Sequence, residues 1–465
     1  MKKSAAISLL ALLLSSCAVG PNYKRPAVQT PAQFRGADAP ADSKSLADVK
    51  WFDLFEDDVL KQLGVTALKD NFDLRIAAER VLQARAQLGV TRSDQFPSLD
   101  ATASFVTNRG SSAGAIPFIP RGTNLDVSYT QVGFSLGWEL DVWGRLRRLT
   151  EAARADYLAT EEARHGVITT LVSDVTSTYF ALRELDLELE IALKTRTIAE
   201  DGLRLTRARR DQGAATGLDV HQAEQFLYTA TAQIASIERA LAQTENALSL
   251  LLGKSPGDIP RGKELVALKP PPLVPAGLPS ALLERRPDIR QSERVLISAN
   301  AQIGAARAQY FPQISLTGLL GAQSRDLTSL FTGPARSWNF APNAVLPIFN
   351  AGRIRSTVRF TEAQQREALI TYEKTIQNAF REVADALIEY RKTAEQRTQQ
   401  ELLVQALRDT ERLSTIRYRG GLDSYLQVLD AERNLFEGEL SLARLRQREL
   451  TAIVQLYRAV GGGWN

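Results

Sequence analysis

The feature that most constrains the fold is an internal repeat in this chain of 465 residues. The run ARAQLGVTRSDQFP at residues 84–97 matches ANAQIGAARAQYFP at residues 299–312, at an offset of 215 residues. Further along, GRLR at residues 144–147 matches GRIR at residues 352–355, and this offset of 208 residues persists as far as Gly461. So long a shared register predicts two copies of one supersecondary unit. The fall in offset from 215 to 208 places seven extra residues in a variable loop of the first copy.

Each copy predicts a helix followed by two strands. Residues 57–95 favour a helix, and the helix has to stop at Phe96-Pro97 because proline cannot continue it. Apolar and polar residues then alternate, as in β-strands of which only one face contacts water. The apolar positions are Leu99, Ala101, Ala103, Phe105, Val132, Phe134, Leu136 and Trp138 in the first copy, and Ile314, Leu316, Trp338 and Phe340 in the second.

Very long helices follow the strands, from about Gly144 to Asp211 and from about Gly352 to Arg419, without an internal proline. At about 1.5 Å per residue, each would span roughly 100 Å. A 3-4 spacing of apolar residues between Ile168 and Ala192 is typical of a coiled-coil seam. Each long helix is expected to turn at a glycine loop and to return as a shorter helix of about 35 residues.

The amino terminus predicts export and lipid anchoring. Lys2 and Lys3 precede a short apolar stretch that ends in Leu14-Ser-Ser-Cys17, a sequence that resembles a bacterial lipobox. Cleavage there would leave Cys17 to carry the lipid. The alternative is an ordinary signal peptide with an incidental cysteine. No segment offers 18 consecutive apolar residues, so a membrane crossing would have to use strands.

Five segments are predicted from these features. They are residues 1–16 as signal peptide, 17–56 as lipid-anchored amino-terminal segment, 57–253 as first repeat, 254–279 as an extended linker rich in proline and glycine, and 280–465 as second repeat.

Composition argues against several function classes. A single cysteine rules out a disulfide framework, and two histidines, His165 and His221, leave little for a metal site. The net charge of +4 is small, and basic residues are interspersed with acidic ones, so we expect no nucleic acid partner. No phosphate-binding glycine loop is present either. We therefore expect no cofactor and no enzymatic activity.

Five segments in order resemble the TolC-like outer membrane factor family, specifically its lipoprotein branch. They are CAVGPNYKRP from Cys17, WELDVWGR from Trp138, ERRPDIR from Glu284, FPQISLTG from Phe311 and PIFNAGRI from Pro347. The resemblance implies an α+β fold, in which three chains with four strands each form a trimeric 12-stranded outer-membrane β-barrel, continued by a coiled-coil barrel of long α-helices. The strand pattern alone leaves a soluble sandwich open.

The resemblance also implies a function. It indicates the exit duct of a tripartite efflux pump, working passively with a periplasmic adaptor and an inner-membrane pump of the RND class. The partners implied are two further copies of the chain, these two proteins and outer-membrane lipid. The alternatives are the duct of a type I protein secretion system, or a structural coiled-coil lipoprotein without a channel.

The resemblance assigns roles to the second glycine loop and the helix after it. Leu426 and Asp430 lie one helical turn apart and would line a periplasmic aperture, a leucine ring beside an aspartate ring. The alternatives are a coiled-coil core position for Leu426 and a solvated helix position for Asp430. In the first copy Leu218 and Gln222 stand in their places. Arg417 and Tyr418 would tie this helix pair to its neighbour. The expected adaptor contacts are Gly213, Thr216, Gly217, Gly420, Gly421 and Ser424.

Overall fold

The computed structural model describes residues 18–36, 45–51, 54–111, 125–268 and 277–463. Cys17 and the predicted signal peptide lie outside these residues. The first copy consists of α1 (Asp58–Asp70), α2 (Phe72–Ser93), β1 (Ser98–Arg109), β2 (Asp126–Leu140), α3 (Arg145–Asp211) and α4 (Gly217–Leu251). The second consists of α5 (Leu282–Arg285), α6 (Pro287–Ala308), β3 (Gln313–Ser324), β4 (Arg336–Val345), α7 (Arg353–Arg419) and α8 (Tyr425–Ala459).

Two compact units share these elements. The sheet unit comprises Met1–Pro26, Leu82–Ala159 and Glu293–Thr371, and the helical unit comprises Ala27–Val81, Thr160–Ser292 and Tyr372–Asn465. Each unit therefore takes segments from both copies of the repeat.

The four strands form one antiparallel sheet in the order β1-β2-β3-β4. The β1–β2 hairpin starts from the pair Ser98↔Gly137, and the β3–β4 hairpin starts from Gln313↔Val345. These pairs are related by the same two offsets, 215 and 208, that relate the sequence segments. The repeat is thus preserved in strand register, which confirms the predicted strands.

The two faces of the sheet differ in polarity, as the alternation predicts. On one face polar residues predominate: Asp100, Ser135 and Asn339 lie in one row across the strands, interrupted only by Leu319 of β3. The other face carries large apolar side chains that are mostly exposed in the single chain. Their exposed fractions are 68% for Leu99, 68% for Phe105, 56% for Phe134, 67% for Leu320, 78% for Trp338 and 58% for Phe340.

The long helices α3 and α7 have 67 residues each, and the returning helices α4 and α8 have 35 residues each. These bounds confirm the predicted lengths. In the predicted seam, Leu171, Val175, Leu182 and Ala192 are buried. Within the described ranges, no helix is both long enough and apolar enough to cross a bilayer.

The single helix expected over residues 57–95 is wrong, because the chain breaks at Asn71. This residue adopts an extended conformation with ψ of 134° between α1 and α2. Its side-chain amide donates to the Leu251 carbonyl at 2.9 Å, and its side-chain oxygen accepts from the Leu74 amide at 3.0 Å. Asn71 thus caps α2 and binds the end of α4, a long-range contact that helix propensity does not register.

The described part of the predicted linker contains a short 3-10 turn, Leu265–Ala267, and is hydrogen-bonded to the rest of the helical unit. The Asp57 carboxylate accepts from the Tyr179 hydroxyl at 3.0 Å and from the Lys263 amide at 2.9 Å. The Tyr179 hydroxyl in turn accepts from the Gly262 amide at 2.9 Å. These hydrogen bonds attach the stretch to buried groups of the helical unit, although most of its own side chains are exposed.

Candidate functional site

The two glycine turns of the helical unit contain most of the predicted site. We call residues 209–222, between α3 and α4, the first tip, and residues 417–430, between α7 and α8, the second tip. Gly213 and Gly421 have φ of +74° and +75°, the left-handed conformation in which glycine ends a helix without a Cβ clash. All six predicted adaptor-contact residues are exposed at these turns.

The second tip is braced by a charged pair within its own turn. The Arg417 guanidinium donates to both carboxylate oxygens of Asp423, from Nε at 2.6 Å and from Nη2 at 3.0 Å. This pairing lowers the pKa of Asp423. Within the chain, Arg417 is thus paired with a carboxylate of its own turn.

Tyr418 joins the two tips. Its ring is buried against Tyr425, with centroids 5.5 Å apart, in a core that also includes Val220 and Phe226 from the first copy. The Arg209 guanidinium lies 4.3 Å from the centroid of the Tyr418 ring and donates to the Tyr418 carbonyl at 3.3 Å. A cation over an aromatic face is attracted by the ring, so the contact holds the tips together.

Leu426 and Asp430 share an exposed face of α8. Leu426 is 50% exposed, and Asp430 is exposed and accepts from the Asn434 amide at 3.2 Å. Within the chain, Leu426 is therefore not a coiled-coil core residue. That role belongs to Tyr425, Val428 and Leu429, which lie close to Leu426 in sequence and are buried.

The first tip differs from the second at the corresponding positions. Leu218 is 66% exposed, whereas Gln222 is half-buried and carries no charge. Its turn is closed by a capping box, in which the Thr216 and Asp219 side chains each accept from the other's backbone amide. The exposed leucine is thus repeated, but the exposed carboxylate is not.

The repeat also contains a glutamate with opposite surroundings in its two copies. The Glu224 carboxylate accepts a hydrogen bond from the Arg207 guanidinium at 2.7 Å and lies 3.0 Å from Nδ1 of His221. These contacts lower the pKa of Glu224. Its counterpart Glu432 is buried, and its Oε2 has no hydrogen-bond partner among the described residues. Burial, together with the nearby charge of Glu411, raises the pKa of Glu432 to about 7.

The structure brings Tyr418 close to the first tip and leaves Leu426 and Asp430 together on the surface. Sequence reasoning missed Arg209, Asp423, Tyr425 and Glu432. A signal existed for Arg209, because the offset of 208 residues aligns it with Arg417. The sequence contains no signal for the different surroundings of Glu224 and Glu432, because the repeat aligns two identical residues.

Comparisons with known proteins agree with this architecture. The model of the family described as Outer membrane efflux protein matches residues 63–254 and 278–462. The solvent efflux pump outer membrane protein SrpC of Pseudomonas putida is 42% identical over 462 residues, covering 98% of this chain and 97% of that relative. The cation efflux system protein CusC of Escherichia coli K12 is 38% identical over 463 residues, covering 98% of each.

A solved structure shows the same fold. The open state of the MtrE outer membrane channel of Neisseria gonorrhoeae superposes with a TM-score of 0.86 at 31% identity, covering 97% of this chain and 99% of that one. The match includes both the four-stranded sheet and the paired long helices, since nearly all of each chain is covered. The chain belongs to the outer membrane efflux protein family and is an outer-membrane efflux channel.

Proposed function

We propose that three copies of this chain form the exit duct of a tripartite efflux pump, which passively conducts small molecules such as drugs across the outer membrane. The observation that carries the proposal is the sheet with one exposed apolar face and one polar face. Four strands are too few to enclose a lumen, whereas three chains supply twelve. The apolar face would then contact lipid, and the polar face would line a wet passage.

The other parts of the pump follow from this duct. A passive duct needs an energy source, which we assign to an inner-membrane pump of the RND class reached through a periplasmic adaptor. A lipid on Cys17 would add a second attachment to the outer membrane. The names of the relatives include solvents and cations among exported substrates, so the pump rather than the duct would select the cargo.

We assign the aperture to the exposed face of the second tip. In a trimer, Leu426 and Asp430 of each copy would form two adjacent rings around the threefold axis. The leucines resist wetting, and the three carboxylates repel one another unless a cation or proton is shared between them. The contact between Arg209 and Tyr418 would then hold the aperture closed, because it connects the second tip to the first tip.

Conductance tests the duct and the aperture together. In planar bilayers, the Leu426→Ser, Asp430→Ala double variant is expected to raise single-channel conductance by at least about twofold, because the dry constriction is removed. The matched control is Leu218→Ser with Gln222→Ala in the first copy, which is expected to change conductance little. Equal conductance of the double variant and the wild type would contradict the aperture assignment. A protein that never conducts would favour the structural lipoprotein.

Site-specific crosslinking tests the adaptor contact. Cysteines replacing Thr216 and Ser424, both exposed at the tips, are expected to crosslink to the adaptor in cells with an active pump. Thr398→Cys, an exposed position of α7, is the control. It lies 21 residues before the end of α7 at Arg419, which is roughly 30 Å along the helix. Crosslinks at Thr398 but not at the tips would place the adaptor elsewhere.

A further inference from the structure

The apolar face of the sheet reaches a charged residue at the strand ends that lie away from the helices. One row of this face consists of apolar side chains only, namely Ala101, Phe134, Leu320 and Trp338. The next row, further from the strand ends that lead into α3 and α7, consists of Ala103, Val132, Ala322 and Arg336. Beyond it, the two central strands carry Thr130 and Ser324 on the same face. Arg336 therefore lies where this face changes from apolar to polar.

The length of β4 relates this change in polarity to the thickness of a membrane. The strand has 10 residues from Arg336 to Val345, and its nine steps of about 3.4 Å span roughly 30 Å along the strand. With a tilt of about 40°, as in outer-membrane barrels, this length corresponds to a height of roughly 23 Å. The apolar band of such barrels is about 25 Å tall. Arg336 and Val345 are therefore expected at opposite boundaries of the band.

The order of the elements decides which boundary Arg336 occupies. The Val345 end of β4 leads into α7, which extends into the periplasm in the duct proposed above. The Arg336 end is the opposite one, so in the duct it lies at the outer leaflet. An arginine at this height is close to lipid headgroups rather than to acyl chains, which is where a charged side chain is tolerated.

Arg336 is exposed, and among the described residues no ion pair includes it. Arg109, on the same face at the end of β1, in contrast pairs with Asp126 at 3.8 Å. The first copy has Ser128 at the position that corresponds to Arg336, so the cation occurs in the second copy only. A guanidinium keeps its positive charge and forms forked hydrogen bonds to phosphate. Arg336 is therefore suited to an anionic headgroup.

The chain that leads to Arg336 is a compact loop. We call residues 325–335, between β3 and β4, the outer connection. The hydroxyl oxygens of Ser324 and Ser329 are hydrogen-bonded at 2.7 Å, and the Thr332 hydroxyl donates to the Ser329 carbonyl at 2.6 Å. Leu330 is only 4% exposed and packs beneath the loop. The outer connection thus has its own hydrogen bonds and a buried residue, which together fix its shape.

The outer connection exposes two large apolar side chains within nine residues of Arg336. Leu327 is 70% exposed, and Phe331 is 86% exposed. Apolar side chains of this size gain free energy when acyl chains cover them, and an interfacial site combines them with a cation. The opposite charges of Arg325 and Asp326 cancel, so the net charge of the region comes from Arg336.

We propose that Arg336, Leu327 and Phe331 of each copy form a binding surface for a phosphorylated glycolipid of the outer leaflet. The Arg336 guanidinium binds a phosphate of the headgroup, and the two apolar side chains pack on the upper part of the acyl chains. This inference rests on the duct proposed above, which places this end of the sheet at the outer leaflet. A glycolipid is favoured over a phospholipid because phosphate-bearing glycolipids make up the outer leaflet of bacterial outer membranes.

Lipid titration followed by native mass spectrometry tests the cation. The full-length trimer in detergent is titrated with purified lipid A that carries both phosphates. Arg336→Ala is expected to raise the apparent Kd about fivefold, the effect of one cation at an anionic lipid surface, and Arg336→Lys is expected to recover part of the affinity. Arg109→Ala is the matched control and is expected to leave the Kd unchanged, because Arg109 already pairs with Asp126. An equal loss in the Arg109 and Arg336 alanine variants would overturn the assignment.

A second lipid separates the charged contact from the apolar one. With lipid A from which both phosphates have been removed, Arg336→Ala and the wild type are expected to bind equally. Leu327→Ser with Phe331→Ser is expected to raise the apparent Kd for both forms of lipid A by a similar factor, about fivefold, because it removes only apolar contact. Leu402→Ser, which replaces a 63% exposed leucine of α7, is the control and is expected to change neither Kd.

The outcomes separate this inference from the proposed function. Each variant is expected to keep the single-channel conductance of the wild type, which shows that the channel is folded. Equal affinity of the wild type for lipid A and for phosphatidylglycerol would overturn the choice of a glycolipid. A conducting wild-type trimer that retains no lipid A would overturn the binding surface and leave the duct standing. A protein that never conducts would instead overturn the duct itself.

Discussion

Replacing Arg286 by alanine is expected to destabilise the helical unit by about 3 kcal/mol, the lower end of the cost of removing one partner from a buried charge network. The Arg286 guanidinium is 9% exposed and donates to Asp288 from Nε at 3.0 Å and from Nη2 at 2.6 Å. It also donates to Glu382 at 2.7 Å and to the carbonyl of Ala459, the last residue of α8, at 3.0 Å.

The lower end applies because the carboxylates are 46% and 44% exposed and can regain water. Arg286→Lys is expected to recover only part of the loss, since an ammonium cannot reproduce the forked contact. The denaturation midpoint, followed by far-UV circular dichroism in detergent, measures both changes.

Arg381→Ala provides the control for Arg286→Ala. Arg381 pairs with Asp385 at 3.1 Å, four residues further along α7, and both side chains are 63% exposed. Such a surface pair contributes about 0.5 kcal/mol or less. Equal midpoints for the Arg286→Ala and Arg381→Ala variants would show that the buried network does not stabilise the fold.

Replacing Glu432 by glutamine is expected to stabilise the second tip at pH 8 by about 3 kcal/mol. Burial, then the charge of Glu411, raises the pKa of Glu432 from 4.5 to about 7. As pH rises, the Glu432 carboxyl therefore loses its proton at a lower pH in the unfolded chain than in the folded chain. Between pH 4.5 and about 7, the folded chain keeps this proton and the unfolded chain does not. Stability contributed by this group falls as pH rises from about 4.5 to about 7 and stays low above it. Glutamine has the same shape and no charge, so it avoids this penalty.

Hydrogen exchange of the peptide covering residues 421–436 measures this effect locally, because tip opening exposes those amides. At pH 8 the Glu432→Gln variant is expected to exchange more slowly than the wild type, and at pH 4.5 the two are expected to agree. Glu224→Gln is the control with the opposite sign. Ion pairing with Arg207 lowers the pKa of Glu224, so its loss is expected to speed exchange of the first tip at pH 8. Faster exchange in the Glu432→Gln variant would contradict the prediction.

The elements of this fold were largely predictable because their signals are local. Proline at Pro97 stops a helix, glycine at Gly213 and Gly421 turns one, and alternation from Leu99 onward marks a strand. Because the repeat carries the same signals twice, each element was predicted independently in both copies. The exception was Asn71, where a cap to the Leu251 carbonyl overrides helix propensity across 180 residues of sequence.

The internal repeat by itself determined the two-copy architecture, the helix lengths and the polarity of the sheet, because each depends on residues that are neighbours in sequence. Only the tertiary structure decided the surroundings that corresponding residues of the two copies have. In the folded chain Glu224 pairs with Arg207, whereas Glu432 is buried. Arg209 lies over the Tyr418 ring. Tyr425 is buried, and its neighbour Leu426 is exposed. Burial and charge pairing arise between segments far apart in sequence, so two copies of one pattern acquire different surroundings and different chemistry.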